Sequence, residues 1–306
     1  MVTAQSGLIA LSLLGGGVAA LNWGIRRSLA APRLQGEEEP EGIPFRTVRI
    51  PTRNGKNLFA WMIPAGKRSP SLVLMHGWGG NSAAMLPLVG PLHAGGYTLL
   101  LVDARCHGRS DGDSFASLPR FAEDIEAALF WLSSQEEADP LRLGVIGHSV
   151  GAGAALLAAS RYPGIKAVVS LAAFAHPATM MRRWMQWKRI PYWPLGRYIL
   201  AYVQKVIGYR FDRIAPCRTI AAVDCPVLLV HGSEDRVVPL DDAKAIYGAR
   251  RSDRVELLVV QGSHDDYGDL SQPITELLDF LKRNLAQVAT LHERGASNGQ
   301  TNVRPE

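Results

Sequence analysis

Gly147-His148-Ser149-Val150-Gly151 places a serine between two glycines, after an apolar run (Leu141–Ile146) and before a run of small residues ending at Ala159. A strand that turns sharply into a helix there forces the serine into a strained, exposed position. The flanking glycines let strand and helix approach closely enough to make the turn. The helix that follows directs backbone N–H groups at Ser149, where they favour developing negative charge. A serine hydroxyl is a weak nucleophile near neutral pH and needs a base, which in turn needs an orienting acid. His231-Gly232-Ser233-Glu234-Asp235 follows an apolar run ending at Val230 and offers Asp235 as the acid. Gln261-Gly262-Ser263-His264 follows the last such run and offers His264 as the base. No carboxylate lies between Leu171 and Ala178, so an acid from the preceding run is excluded. Glu234, Asp265 and Asp266 remain as alternative carboxylates. The bland readings are an Asp235 that only caps a turn and a His264 that is only a solvated loop residue. Three residues in the order Ser, Asp, His, each just past a strand end, favour nucleophilic acyl transfer.

Such chemistry also needs two backbone N–H groups converging on one oxygen. Val150 supplies one. His76-Gly77-Trp78-Gly79-Gly80 supplies the other from Trp78, whose ring can wall the pocket. Gly77 and His148, beside these donors, are expected to touch substrate.

The elements that must carry these residues alternate along the chain. Strands are expected at Phe45–Pro51, Leu58–Pro64, Ser71–Met75, Thr98–Val102, Leu141–Ile146, Ala167–Leu171, Val227–Val230 and Val255–Val260. Asn54-Gly55 marks a hairpin between the first two. Helices are expected at Ser82–His93, Leu118–Ser134, Gly151–Arg161, Leu240–Arg251 and Pro273–Leu285. The alternation predicts an α/β fold with a mostly parallel sheet covered on both faces, and ligands at the carboxyl ends of its strands.

Together with Asp103-Ala104-Arg105-Cys106-His107-Gly108-Arg109-Ser110, these motifs resemble the α/β-hydrolase superfamily over residues 45–287. The resemblance implies the α/β-hydrolase fold with a helical lid insertion and a triad of Ser149, Asp235 and His264. Cys106 stands where that family usually has glycine. Within the superfamily the chain looks most like membrane-anchored, serine-aminopeptidase-like bacterial hydrolases. The expected activity is hydrolysis of a carboxylic ester or thioester of a small apolar acyl substrate, with a peptidase acting on short peptides as the alternative.

Charge and hydropathy divide the rest. The net charge of +5 is concentrated in residues 177–224, the lid position, where nine Lys/Arg meet only Asp212 and Asp224. Its aromatic-basic stretch includes Trp184 and Trp187, expected to line a greasy acyl pocket, or to lie on a membrane. The plainer alternative is a helical cap with solvated arginines. No nucleic-acid motif accompanies the basic segment, and no nucleic-acid partner is expected. Gly7–Gly24 carries no charge, and eighteen helical residues rise about 27 Å, close to a hydrocarbon core of about 30 Å. A cleaved signal or a buried helix competes with a membrane anchor over residues 1–27. Arg26 and Arg27 favour the anchor, with the catalytic domain on the cytoplasmic side. Residues 28–44, with an acidic cluster, read as a solvated linker, and 290–306 as a disordered tail. The odd count of three cysteines argues against a disulfide scaffold, and their spacing suits no metal. Neither metal nor organic cofactor is expected.

Overall fold

Alternating apolar runs of strand length and helical segments build one sheet with helices on both faces. The structure is a computed structural model that describes residues 2–34, 36, 38–266 and 271–285, without the side chains of 2–14 and Ser271. In chain order the elements are α1 (Val2–Ser28), β1 (Arg46–Thr52), β2 (Lys56–Ile63), β3 (Ser69–Met75), α2 (Val89–Ala94), β4 (Thr98–Val102), α3 (Leu118–Leu132), β5 (Ala138–His148), α4 (Val150–Ala159) and β6 (Ile165–Leu171). Then come α5 (Pro177–Trp187), α6 (Arg197–Ile207), the short turns α7 (Phe211–Ile214) and α8 (Pro216–Thr219), β7 (Val227–Gly232), α9 (Leu240–Gly248), β8 (Val255–Val260) and α10 (Ser271–Leu285).

The eight strands run in the order β1-β2-β4-β3-β5-β6-β7-β8. β1 pairs β2 and β2 pairs β4 antiparallel, and every other pairing is parallel. Asn54 and Gly55 take positive φ (60° and 63°), as the β1–β2 hairpin turn requires. Period-2 alternation divides the core between two faces. Leu58, Ala60, Met62, Val73 and Met75 face α3 and α4, whereas Phe59, Trp61, Ile63, Leu72 and Leu74 face α2 and α10. Because both faces are buried, the strands read as unbroken apolar runs.

Three departures from the sequence reading have local causes. Ser82–Leu88 is a 3-10 segment and only Val89–Ala94 is α-helical, because Pro87 cannot donate a helical hydrogen bond. The basic insertion forms α5, for which no helix range was expected, and α6. Pro177 opens α5 and the His176 ring accepts the Ala178 amide at 3.1 Å as its cap. Residues 28–44 are not simply solvated. Leu29 accepts the Ala116 amide at 2.9 Å, Arg33 reaches the Ser110 carbonyl, Leu34 accepts from Asn81 Nδ2 at 3.0 Å, and Glu39 pairs with Arg109 at 3.2 Å. This strap crosses the loops that follow β3 and β4, at the carboxyl side of the sheet.

Among the described residues no helix is long and apolar enough to cross a membrane. The side chains of residues 2–14, much of the uncharged run behind the anchor expectation, lie outside that description. The expected tail at 290–306 lies wholly outside it.

Asp103 and Arg105 organise the loop after β4. Asp103 accepts the amides of Ser82 (2.6 Å) and Arg109 (2.7 Å). Arg105, 1% exposed, pairs with Asp124 at 2.7 Å and also engages Glu123 and Asp113. Burial alone would disfavour its charge, but Asp124 and Glu123 outweigh that and hold its pKa above the ordinary value. Cys106 adopts a left-handed conformation (φ 68°), which glycine favours, and its Sγ accepts the Asp113 amide at 3.1 Å.

Candidate active site

Ser149 sits at φ 54°, ψ −113°, a conformation that L side chains rarely adopt. Space explains why glycines flank it. A Cβ on Gly147 would lie 2.3 Å from the Gly151 carbonyl oxygen, and one on Gly151 would lie 2.4 Å from the Met75 carbonyl oxygen. β5 therefore turns into α4 against the end of β3 with no room for side chains. The Ser149 amide is tied to the Leu171 carbonyl at 2.8 Å.

The structure brings the three widely spaced residues together. Ser149 Oγ lies 3.1 Å from His264 Nε2, and His264 Nδ1 lies 2.7 Å from Asp235 Oδ2. The other Asp235 oxygen, Oδ1, accepts the amides of Val237 (2.8 Å) and Val238 (2.7 Å). Burial tends to raise the Asp235 pKa. The hydrogen bonds from His264 and from the Val238 and Val237 amides reverse this and hold it below the usual carboxylate range. An anionic Asp235 keeps the proton on His264 Nδ1 and leaves Nε2 free to take one from Ser149. Asp265, an alternative acid, is exposed and lies 3.8 Å from His148.

Among the described residues neither the Trp78 nor the Val150 amide has an acceptor within the protein. Val150 opens α4, and Trp78 lies in the loop packed on the nucleophile: a Cβ on Gly77 would be 3.2 Å from Ser149 Cβ. Any side chain at Gly77 would fill space beside the serine. The Trp78 ring meets His107 edge-on at 5.9 Å and remains partly exposed.

The structure places the other residues expected to touch substrate as follows. The His148 ring points to the base loop, where Nε2 is 2.9 Å from the His264 carbonyl. This contact joins the end of β5 to the loop after β8. Trp184 and Trp187 lie exposed on α5, and neither makes a ring or hydrogen-bond contact with the Ser149 group. Met185, between them in sequence, takes the inward face of that helix and is buried.

Two supports were not legible as such. Buried His231 hydrogen-bonds to the Val238 carbonyl at 2.7 Å and lies 3.5 Å from Asp235, bracing the acid loop. Buried His76 accepts the Ala104 amide on Nε2 at 3.1 Å, and its Nδ1 is 2.7 Å from the Gly77 carbonyl. That contact ties the Gly77 carbonyl to the His76 ring. Their signal in sequence is a histidine directly before a glycine at a strand end, a pattern that names no role.

Burial, aided by nearby His107, lowers the His76 pKa from 6.5 to about 3. The unfolded chain takes up this proton near pH 6.5 and the folded chain resists it, so the stability is full above 6.5 and is lost as pH falls toward 3. Two pH units below 6.5 correspond to about 3 kcal/mol. Chemical denaturation at neutral pH and near pH 4.5 should therefore show a drop about 3 kcal/mol larger for the native protein than for His76→Gln. Equal drops in both proteins would remove His76 as the cause.

A mostly parallel sheet, with Ser149 on the turn after β5, Asp235 after β7 and His264 after β8, is the α/β-hydrolase fold. Comparison with known proteins agrees. Residues 66–206 match the family model described as serine aminopeptidase, S33. An uncharacterized protein of Mycobacterium tuberculosis is 29% identical over 249 residues, covering 80% of this chain and 81% of its own. YfhR of Salmonella typhi, also uncharacterized, is 26% identical over 244 residues, covering 74% and 77%. Among solved structures, the Pyrococcus furiosus esterase Pf2001 superposes with a TM-score of 0.69 at 24% identity, covering 83% of this chain and 97% of that one. The α/β hydrolase GrgF of a Penicillium species gives 0.64 at 21% identity, covering 80% and 100%. The chain therefore has the α/β-hydrolase fold, and over residues 66–206 it is similar to the serine aminopeptidase family.

Proposed function

We propose that the protein is a serine hydrolase that cleaves a carboxylic ester or thioester of an apolar acyl group through an acyl-enzyme on Ser149. The observation that carries this reading is the continuous relay from Ser149 Oγ through His264 to Asp235, at a strained turn facing two unengaged amides. Ser149 Oγ attacks the carbonyl carbon as its proton passes to His264 Nε2. The Trp78 and Val150 amides hold the oxyanion, and losing such a donor typically lowers the rate about a hundred- to a thousandfold. Collapse releases the alcohol or thiol, protonated by His264. Water then attacks the acyl-enzyme by the same steps in reverse, with His264 as base. Likeness to an esterase in fold supports the ester reading. The match to the serine aminopeptidase model favours a second one, a peptidase acting on short peptides with the same residues.

A fluorophosphonate probe followed by a substrate panel tests both. The probe should label the native protein and not Ser149→Ala, and aryl esters or thioesters should be turned over with higher kcat/KM than aminoacyl arylamides. Labelling that survives the substitution overturns the mechanism. Preference for arylamides moves the reading to the peptidase.

A further inference from the structure

We propose that the face formed by α5, the Tyr192–Gly196 turn and α6 lies on an anionic lipid bilayer, so that the active-site side of the sheet opens toward lipid. Between residues 177 and 211 the chain holds seven Lys or Arg and no acidic residue. A cap that served only to cover the core would turn its rings inward. Here Trp187 is 55% exposed and Trp193 69%, with Trp184 and Tyr192 also exposed.

The cations accompany the rings. Arg182 lies 4.6 Å above the Tyr192 ring centroid, and Arg197 lies 5.1 Å from that of Trp193. Arg183 pairs with buried Asp242, but Lys188, Arg189 and Lys205 form no ion pair among the described residues. Their charge is left for an external anion. Tryptophan and tyrosine favour the headgroup level of a bilayer, and lysine and arginine its phosphates. Near an anionic surface each basic residue strengthens partitioning about fivefold.

The choice of a bilayer over an acidic protein rests on α1. Its end is docked on the lid: Tyr198 donates to Asn22 Oδ1 at 2.7 Å, Arg26 donates to Tyr202 at 2.9 Å, and Ile25 is buried in the main core. The uncharged run Gly7–Gly24 therefore arrives at the basic-aromatic face, with Trp23 exposed beside it. The strap that follows crosses the loops after β3 and β4. Apolar run, lid and active-site loops thus share one side of the molecule, as a lipid surface requires.

The full chain, bound to vesicles of phosphatidylcholine alone or mixed with phosphatidylglycerol, both brominated on the acyl chains, tests this by tryptophan quenching. In the mixed vesicles quenching should exceed that of a variant carrying Trp184→Phe, Trp187→Phe and Trp193→Phe, and the excess should vanish in Lys188→Glu/Arg189→Glu. Turnover of a soluble short-chain ester should persist in the charge variant, which separates this result from the fate of the proposed mechanism. Equal quenching with and without the lid tryptophans overturns the proposal, because the remaining tryptophans, Trp23, Trp61, Trp78 and Trp131, would then report the contact. So does an excess that phosphatidylcholine alone produces to the same extent.

Discussion

Ser149→Ala should lower kcat by roughly a millionfold on any ester the native protein turns over. The loss is that large because the serine and its base act as one unit. Without Oγ, the proton acceptor at His264 Nε2, 3.1 Å away, has nothing to activate. His264→Ala should cost about as much, and the double variant should be no slower than either single one. The residual rate, roughly a thousand- to ten-thousandfold above water, should come from the Trp78 and Val150 amides and from substrate binding. Folding should be little affected, since the strained backbone at Ser149 is held by its amide bond to Leu171 and by the packing of Gly147 and Gly151. Steady-state kinetics on an aryl ester, with circular dichroism as the control, checks this. More than about one percent of native kcat in Ser149→Ala would place the nucleophile elsewhere.

The second large effect is expected from Asp235→Asn, roughly a ten-thousandfold loss in kcat. The substitution keeps shape but not polarity. The Val237 and Val238 amides both donate to Oδ1, so the amide oxygen of an asparagine must stay on that side. Its NH2 group then faces His264 Nδ1, where the native carboxylate oxygen accepts at 2.7 Å. Two donors cannot share that contact, so the imidazole proton moves to Nε2 and the ring can no longer accept from Ser149. A fluorophosphonate should then label Asp235→Asn far more slowly than the native protein. A loss of less than tenfold in kcat would mean that another carboxylate, such as nearby Glu234, orients the base.

Much of the fold was legible because its signals are local. Strand–helix alternation, turn glycines and the order Ser149, Asp235, His264 all follow from short windows of sequence. The parts that local sequence leaves open depend on contacts between distant residues. His148 adjoins the nucleophile in sequence, yet its hydrogen bond is to a carbonyl 116 residues away. Nothing local says whether that ring turns toward substrate or toward the base loop. Trp184 and Trp187 lie on a helix whose inward face was taken by Met185, a choice made by the surface beneath it. Residues 28–44 have a linker's composition, yet backbone carbonyls and single side chains, which carry little compositional signal, bind them to the β3 and β4 loops.

The sequence by itself determined the sheet, the nucleophile turn and the residue types that could activate it, because periodicity, glycine and residue chemistry act within a few positions. Tertiary structure alone decided that the His264 ring meets both Ser149 and Asp235, and that the His148 ring turns to the His264 carbonyl. It also set the aromatic face of α5 and α6 beside α1. Those outcomes rest on which strand ends and helix faces meet, and close packing of residues far apart in the chain settles that.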